Sequence, residues 1–154
     1  MVLAMGVSFP SHRLTQIFIL HRVYRTPQFL YAIGLKPEPA CARCGNTGTL
    51  IHILWWYPKL QRYWAEVIGT LNVLLDNNIP VEPLICLLGY CDISIYTSSI
   101  GNTIRRALFV ARRQISLKWT SPYPPTVSKW ILDLNRIILS EKRTYSLRNS
   151  MSKF

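Results

Sequence analysis

Residues 41–64 read CARCGNTGTLIHILWWYPKLQRYW, and the rest of the chain is organised around this stretch. Cys41 and Cys44 form a C-x2-C pair, the spacing at which two thiolates grip one zinc ion across a turn. Gly45 and Gly48 supply the flexible backbone that such a loop requires. His52 follows after seven intervening residues, so Cys41, Cys44 and His52 offer three donors for a tetrahedral ion. Leu50 to Trp56 reads as a short extended apolar segment. Adjacent residues there face opposite ways, which leaves Trp56 as the exposed member of its pair. Trp55 and Trp64 are expected in the core, bracketing the loop, rather than as base-stacking platforms. Pro58 then opens the clearest helix of the sequence. Leu60, Tyr63, Trp64, Val67, Ile68, Leu71, Leu74 and Leu75 follow helical spacing until Asp76-Asn77-Asn78 ends it.

Upstream, Ser11 is placed to cap a helix with Leu14, Ile17, Phe18 and His21 on one face. Thr26-Pro27 starts a second helix, with Thr26 as the cap and Pro27 at the first helical position. Gly34 ends it, and Lys36-Pro37-Glu38-Pro39 forms an extended linker. Downstream, residues 79–100 are ambiguous, with apolar runs broken by Pro80, Pro83 and Gly89. A helix spans about Asn102 to Trp119. The prolines of Ser121 to Pro125 make a stiff connector, and Thr126 caps a last helix. Its apolar stripe is Val127, Trp130, Ile131, Leu134, Ile137 and Ile138, and the tail from Arg143 is expected to fray. The fold class is mostly α: a small helical domain with a short Cys/His zinc-knuckle-like loop. Three regions divide it: N-terminal helices over 1–36, the loop and its helix over 37–78, and a basic helical region over 79–154.

The chain has 154 residues and a formal charge of +11, unevenly spread. Eleven of the 18 Lys/Arg but two of the seven Asp/Glu fall in residues 101–154. Such a basic tail on a near-neutral body points to an anionic partner, with RNA or DNA backbone preferred over an acidic membrane surface. Residues 104–119, IRRALFVARRQISLKW, place Ile104, Leu108, Ala111 and Ile115 on an apolar face. Arg105 and Arg112 are seven apart, as are Arg106 and Arg113. Two helical turns separate each pair, so the four are expected to form one stripe with Lys118 at its edge. Nothing nearby in sequence neutralises them, and bound phosphates would relieve their repulsion. The alternative is a solvated helix face. Lys142, Arg143, Arg148 and Lys153 extend the charge, and Tyr145 and Phe154 offer stacking surfaces to single strands.

Several classes are disfavoured. No apolar run approaches the roughly 18 residues of a membrane span, and Met1–Pro10 lacks the build of a secretory signal. The expected location is therefore intracellular, in nucleus or cytoplasm, where cysteines serve as metal ligands or core residues. Cys86 and Cys91 lack metal spacing and are expected in the core, and His12 and His21 on the surface. The three aspartates, Asp76, Asp92 and Asp133, include no adjacent pair of the kind that holds two metals in a polymerase. No phosphate loop or nucleophile elbow is present. No carboxylate base stands beside the cysteine loop, where Glu38 is the nearest, so catalytic zinc is disfavoured and no enzymatic activity is expected.

The 41–64 stretch resembles the zinc-binding segment near the end of LINE-type (non-LTR) retrotransposon reverse transcriptases, most closely those of vertebrates. That family's pattern is C-x2-C-x7-H-x4-C, then Pro and a helix with an early Trp. Cys41, Cys44 and His52 match its first three ligands, and Thr49, Leu50, Trp55, Pro58 and Trp64 match the surroundings. Tyr24-Arg25-Thr26-Pro27 resembles the family's lead-in, and Lys118 to Lys142 its final helices, so the likeness runs from about residue 20 onward. The fourth ligand position holds Tyr57, whose neutral phenol is a poor zinc donor. Three outcomes stay open: water, Cys86 or Cys91 completes the sphere; three ligands hold zinc weakly; or the loop is held by packing alone. The resemblance implies a non-catalytic piece that assists template RNA binding beside the rest of a reverse transcriptase polyprotein. The alternative is an inactive remnant of a mobile element.

Overall fold

Four of the helices start on a proline, the residue whose fixed φ suits a first turn and whose missing N–H is not needed there. The computed structural model describes residues 10–90 and 98–151, with the side chains of 10–14, 98 and 148–151 left aside. Helix α1 spans Pro10–Leu20, α2 Pro27–Ala32, α3 Pro58–Leu75, α4 Pro83–Leu88, α5 Ser98–Lys118 and α6 Val127–Met151. A π-helical turn covers His52–Trp56. The described residues contain no strand, and the fold is mostly helical.

The local signals act as expected at several ends. Thr26 caps α2 by accepting from the Phe29 N–H at 3.2 Å. Asp76 closes α3 in the left-handed region at φ 48°. The Asn72 side chain then clamps both backbone groups of Ile79, at 2.7 and 3.1 Å. Leu60, Tyr63, Trp64, Val67, Ile68 and Leu71 are all buried, as their spacing predicts, whereas Leu74 of the same expected face is exposed and Leu75 half-buried.

Helix α5 is the hub, in contact with α1, α3, α4, α6 and the π-helical turn. Ala107 through Arg112 are six consecutive buried residues, and six successive positions cover every side of a helix. The expected face of Ile104, Leu108, Ala111 and Ile115 is buried, but Phe109 and Val110 fill the opposite side too. Trp130 anchors α6 to this hub, donating from Nε1 to the Ala107 carbonyl at 2.8 Å. Tyr63 donates to Gln114, which donates to Asp133, so one polar chain ties α3, α5 and α6 together. Residues from all three stretches of sequence share one core.

Three expectations are corrected, and one open stretch is resolved. The segment around His52–Trp56 is π-helical, not extended: His52, Ile53, Leu54 and Trp55 are all buried, which an alternating strand would not allow. Trp56 is nonetheless exposed, at 60 %, because it ends that turn. On α1 the inward residues are Thr15, Gln16 and Ile19, while Ile17, Phe18 and His21 face out; Ser11 lies within the helix rather than capping it. The tail from Arg143 does not fray within the described residues, since α6 continues to Met151. Finally, residues 83–88 of the ambiguous stretch form a helix. The side chains of His12 and Leu14 fall outside the described set, as does Cys91 altogether.

Candidate metal centre and basic surface

The cysteine loop is closed by its own backbone. The Cys41 N–H donates to Asn46 O at 2.7 Å and the Gly48 N–H to Pro39 O at 2.7 Å, beside a bridge between Ala40 and Thr47. Gly45 takes φ 76°, and its N–H returns to Cys41 O at 2.8 Å, which makes the tight turn after Cys44. Gly48 lies against the Pro27 ring, where an added Cβ would come within 2.6 Å of Cγ. The loop is thereby seated on the start of α2.

His52 enters from the π-helical turn, with its backbone N–H held by the Thr49 hydroxyl at 2.9 Å. Cys41 Sγ, Cys44 Sγ and a ring nitrogen of His52 all lie within 4.8 Å of one another. Cys44 Sγ and His52 Nε2 are 3.2 Å apart. Bond lengths of about 2.3 Å to sulfur and 2.0–2.1 Å to nitrogen suit such a group, so these residues could hold a metal ion. Burial raises the Cys41 thiol, but the Arg43 backbone and guanidinium, with Cys44, outweigh it and leave its pKa lowered from 9.0. Burial, then the Arg43 charge, lowers His52 from 6.5, which keeps the imidazole neutral and its lone pair available.

Tyr57, five residues after His52, is engaged by other contacts. It is buried, its hydroxyl donates to the Pro122 carbonyl at 3.4 Å, and Lys59 Nζ donates to the same carbonyl at 3.3 Å. The Arg43 guanidinium covers the Tyr57 ring at 3.9 Å and donates to Ile53 O at 3.3 Å. This stack pins the loop to the connector by packing. Cys86 is buried in the core cluster, as its apolar setting predicts. No family model matches the chain.

The basic residues do not form the stripe that their spacing suggests. Arg112 is 4 % exposed and donates from Nη1 to the Cys86 carbonyl at 2.9 Å, with its guanidinium over Phe109. Arg106 pairs with Glu141 of α6 at 3.2 Å, a partner 35 residues away in sequence. Arg105 is half-buried and bonded to Asn102 at 2.8 Å, and Arg113 is half-buried. Lys118, Lys142 and Arg143 are exposed. The Arg148 side chain lies outside the described set, and Lys153 and Phe154 lie outside the described residues. Sequence reasoning missed Arg136, an exposed cation one heptad before Arg143 on the outer side of α6. Its seven-residue spacing from Arg143 is the signal that the sequence carries for it. No helix among the described residues is long and apolar enough to cross a membrane.

Proposed function

We propose that the chain is a non-catalytic, sequence-tolerant nucleic-acid-binding module, similar in kind to the zinc-binding C-terminal segment of LINE-type reverse transcriptases. The observation that carries this reading is the outer side of α6. Arg136 and Arg143 lie one heptad apart on one side of α6 and are exposed, and Lys142, Tyr145 and, at the end of α5, Lys118 are exposed as well. Asp133 and Glu141, the two acidic residues of residues 101–154, are already engaged, Glu141 by Arg106 and Asp133 by Lys129 and, at 3.6 Å, by the exposed Arg136. Phosphates would be contacted by guanidinium and ammonium groups without base readout. The Cys41, Cys44 and His52 group would hold zinc, with water or a partner's group as fourth donor. That zinc would clip the loop to the π-helical turn.

The test is binding to a generic single-stranded RNA over a salt series. Four contacted phosphates give a slope of log K against log salt of about −3. Arg136→Ala/Lys142→Ala/Arg143→Ala should flatten it by about two. Absence of binding by the folded chain at low salt refutes the module. It would favour the second reading, an inactive mobile-element remnant, which Tyr57 at the fourth ligand position supports.

A further inference from the structure

A groove of about 700 Å3 opens between the end of α1, helix α2, the π-helical turn and α4, with no residue of α6 in its lining. Its floor is Ile19, Leu54 and Leu87, all buried. Its rim is apolar and wet: Leu20 is 49 % exposed, Phe29 48 %, Ile51 42 % and Leu84 56 %. Contiguous exposed apolar surface of this kind marks a site that something else covers. Because the rim stays half-exposed, the occupant must be broad enough to cover four large side chains, from α1, α2, α4 and the start of the π-helical turn. An amphipathic helix laid along the groove does this, with anchors at i, i+3 and i+7.

Charge restricts the occupant further. Arg22 is the one charged residue in the lining; it is exposed and has no ion-pair partner among the described residues. Arg25 is exposed on the same turn. An acidic residue flanking the partner's apolar stripe would meet them. We propose that this groove is a docking site for an acidic amphipathic helix of a separate partner protein.

The probe is a fluorescein-labelled synthetic peptide of about five helical turns. It carries leucines at i, i+3 and i+7 with flanking glutamates, and a twin has lysines for the glutamates. The full chain should bind the acidic peptide and reject the basic one. Leu84→Lys and Arg22→Glu should each weaken the acidic peptide about tenfold, and Arg22→Glu should gain the basic one. Circular dichroism checks that both variants stay folded. The Arg136→Ala/Lys142→Ala/Arg143→Ala variant should keep the acidic peptide while losing RNA, which separates this site from the nucleic-acid reading. The proposal is overturned if the acidic peptide does not bind, or if its binding follows the α6 variant instead of Arg22. It is also overturned if sedimentation shows a Leu84-dependent dimer, or if anionic vesicles bind through Leu84 while the peptide does not.

Discussion

Arg112 and Tyr57 each do something other than what their position in the sequence suggests. Arg112 sits in a run of arginines, yet its guanidinium satisfies the Cys86 carbonyl near the end of α4 and lies 3.4 Å from where a Gly89 Cβ would be. Charged groups near a helix C-terminus are favoured by the exposed carbonyls and the dipole. Replacing Arg112 by Met should destabilise the chain by about 2 kcal/mol, the size of a hydrogen bond to a charged group. RNA affinity of the folded fraction should stay unchanged. Urea melts read the first, and binding at a temperature where the variant is folded reads the second. Tyr57, where the LINE-type pattern has its fourth ligand, carries a ring stacked by Arg43. Tyr57→Cys should have two opposite effects. Without metal it leaves a cavity and lowers the melting temperature. With zinc it supplies a fourth thiolate and raises the melting temperature above that of the wild type, since free zinc at one hundred times Kd contributes about 2.7 kcal/mol. Zinc content per chain should rise in parallel. An unchanged zinc content would mean that position 57 cannot reach the ion.

At the level of elements, the loop and α2 depend on each other at one contact. Gly48 meets the Pro27 ring, and the Gln28 N–H donates to the Gly48 carbonyl at 3.3 Å. Gly48→Ala forces a methyl into that ring and should cost about 1–3 kcal/mol, the range for overpacking. Metal affinity should fall with it, because Cys41 and Cys44 are oriented by the same loop. A variant of wild-type stability would show that α2 simply moves aside. The π-helical turn is the other decisive element. Its wide winding, with the Tyr57 N–H on the His52 carbonyl at 2.8 Å, turns His52 to the cysteines while Trp55 stays in the core.

For the molecule as a whole, the polar chain Tyr63–Gln114–Asp133 joins three helices. Burial raises the Asp133 carboxyl, but Lys129, Gln114 and Arg136 outweigh it and lower its pKa below the ordinary 3.8. A carboxylate whose folded pKa is lowered contributes stability that is present above its unfolded pKa. That contribution is lost as pH falls from about 4 through the folded pKa. Asp133→Asn should therefore lower stability at neutral pH and flatten its decline in that acid window. Urea midpoints of both proteins at pH 7 and through that window test it, and parallel declines would assign the acid limb elsewhere. Burial, with the Asp133 charge adding to it, raises the Tyr63 phenol far above 10.0, so it stays a donor throughout.

Much of this architecture is written in short-range chemistry. A proline at a first helical turn, a threonine before it, a left-handed Asp76 and the apolar spacing of α3 act over a few residues, so they are readable directly from the chain. The C-x2-C-x7-H spacing likewise brings its three donors together within one loop and one turn. The fate of the arginines was of another kind. Periodicity says which residues share a face, but it does not say how many neighbours a helix has. Five consecutive apolar residues, Ala107 to Ala111, were the available sign that α5 is surrounded. Only the packing of α4 and α6 against it decided that Arg112 would be buried and Arg106 neutralised by Glu141. Those partners lie 26 and 35 residues away, and contacts at such separations are set by tertiary packing rather than by local propensity.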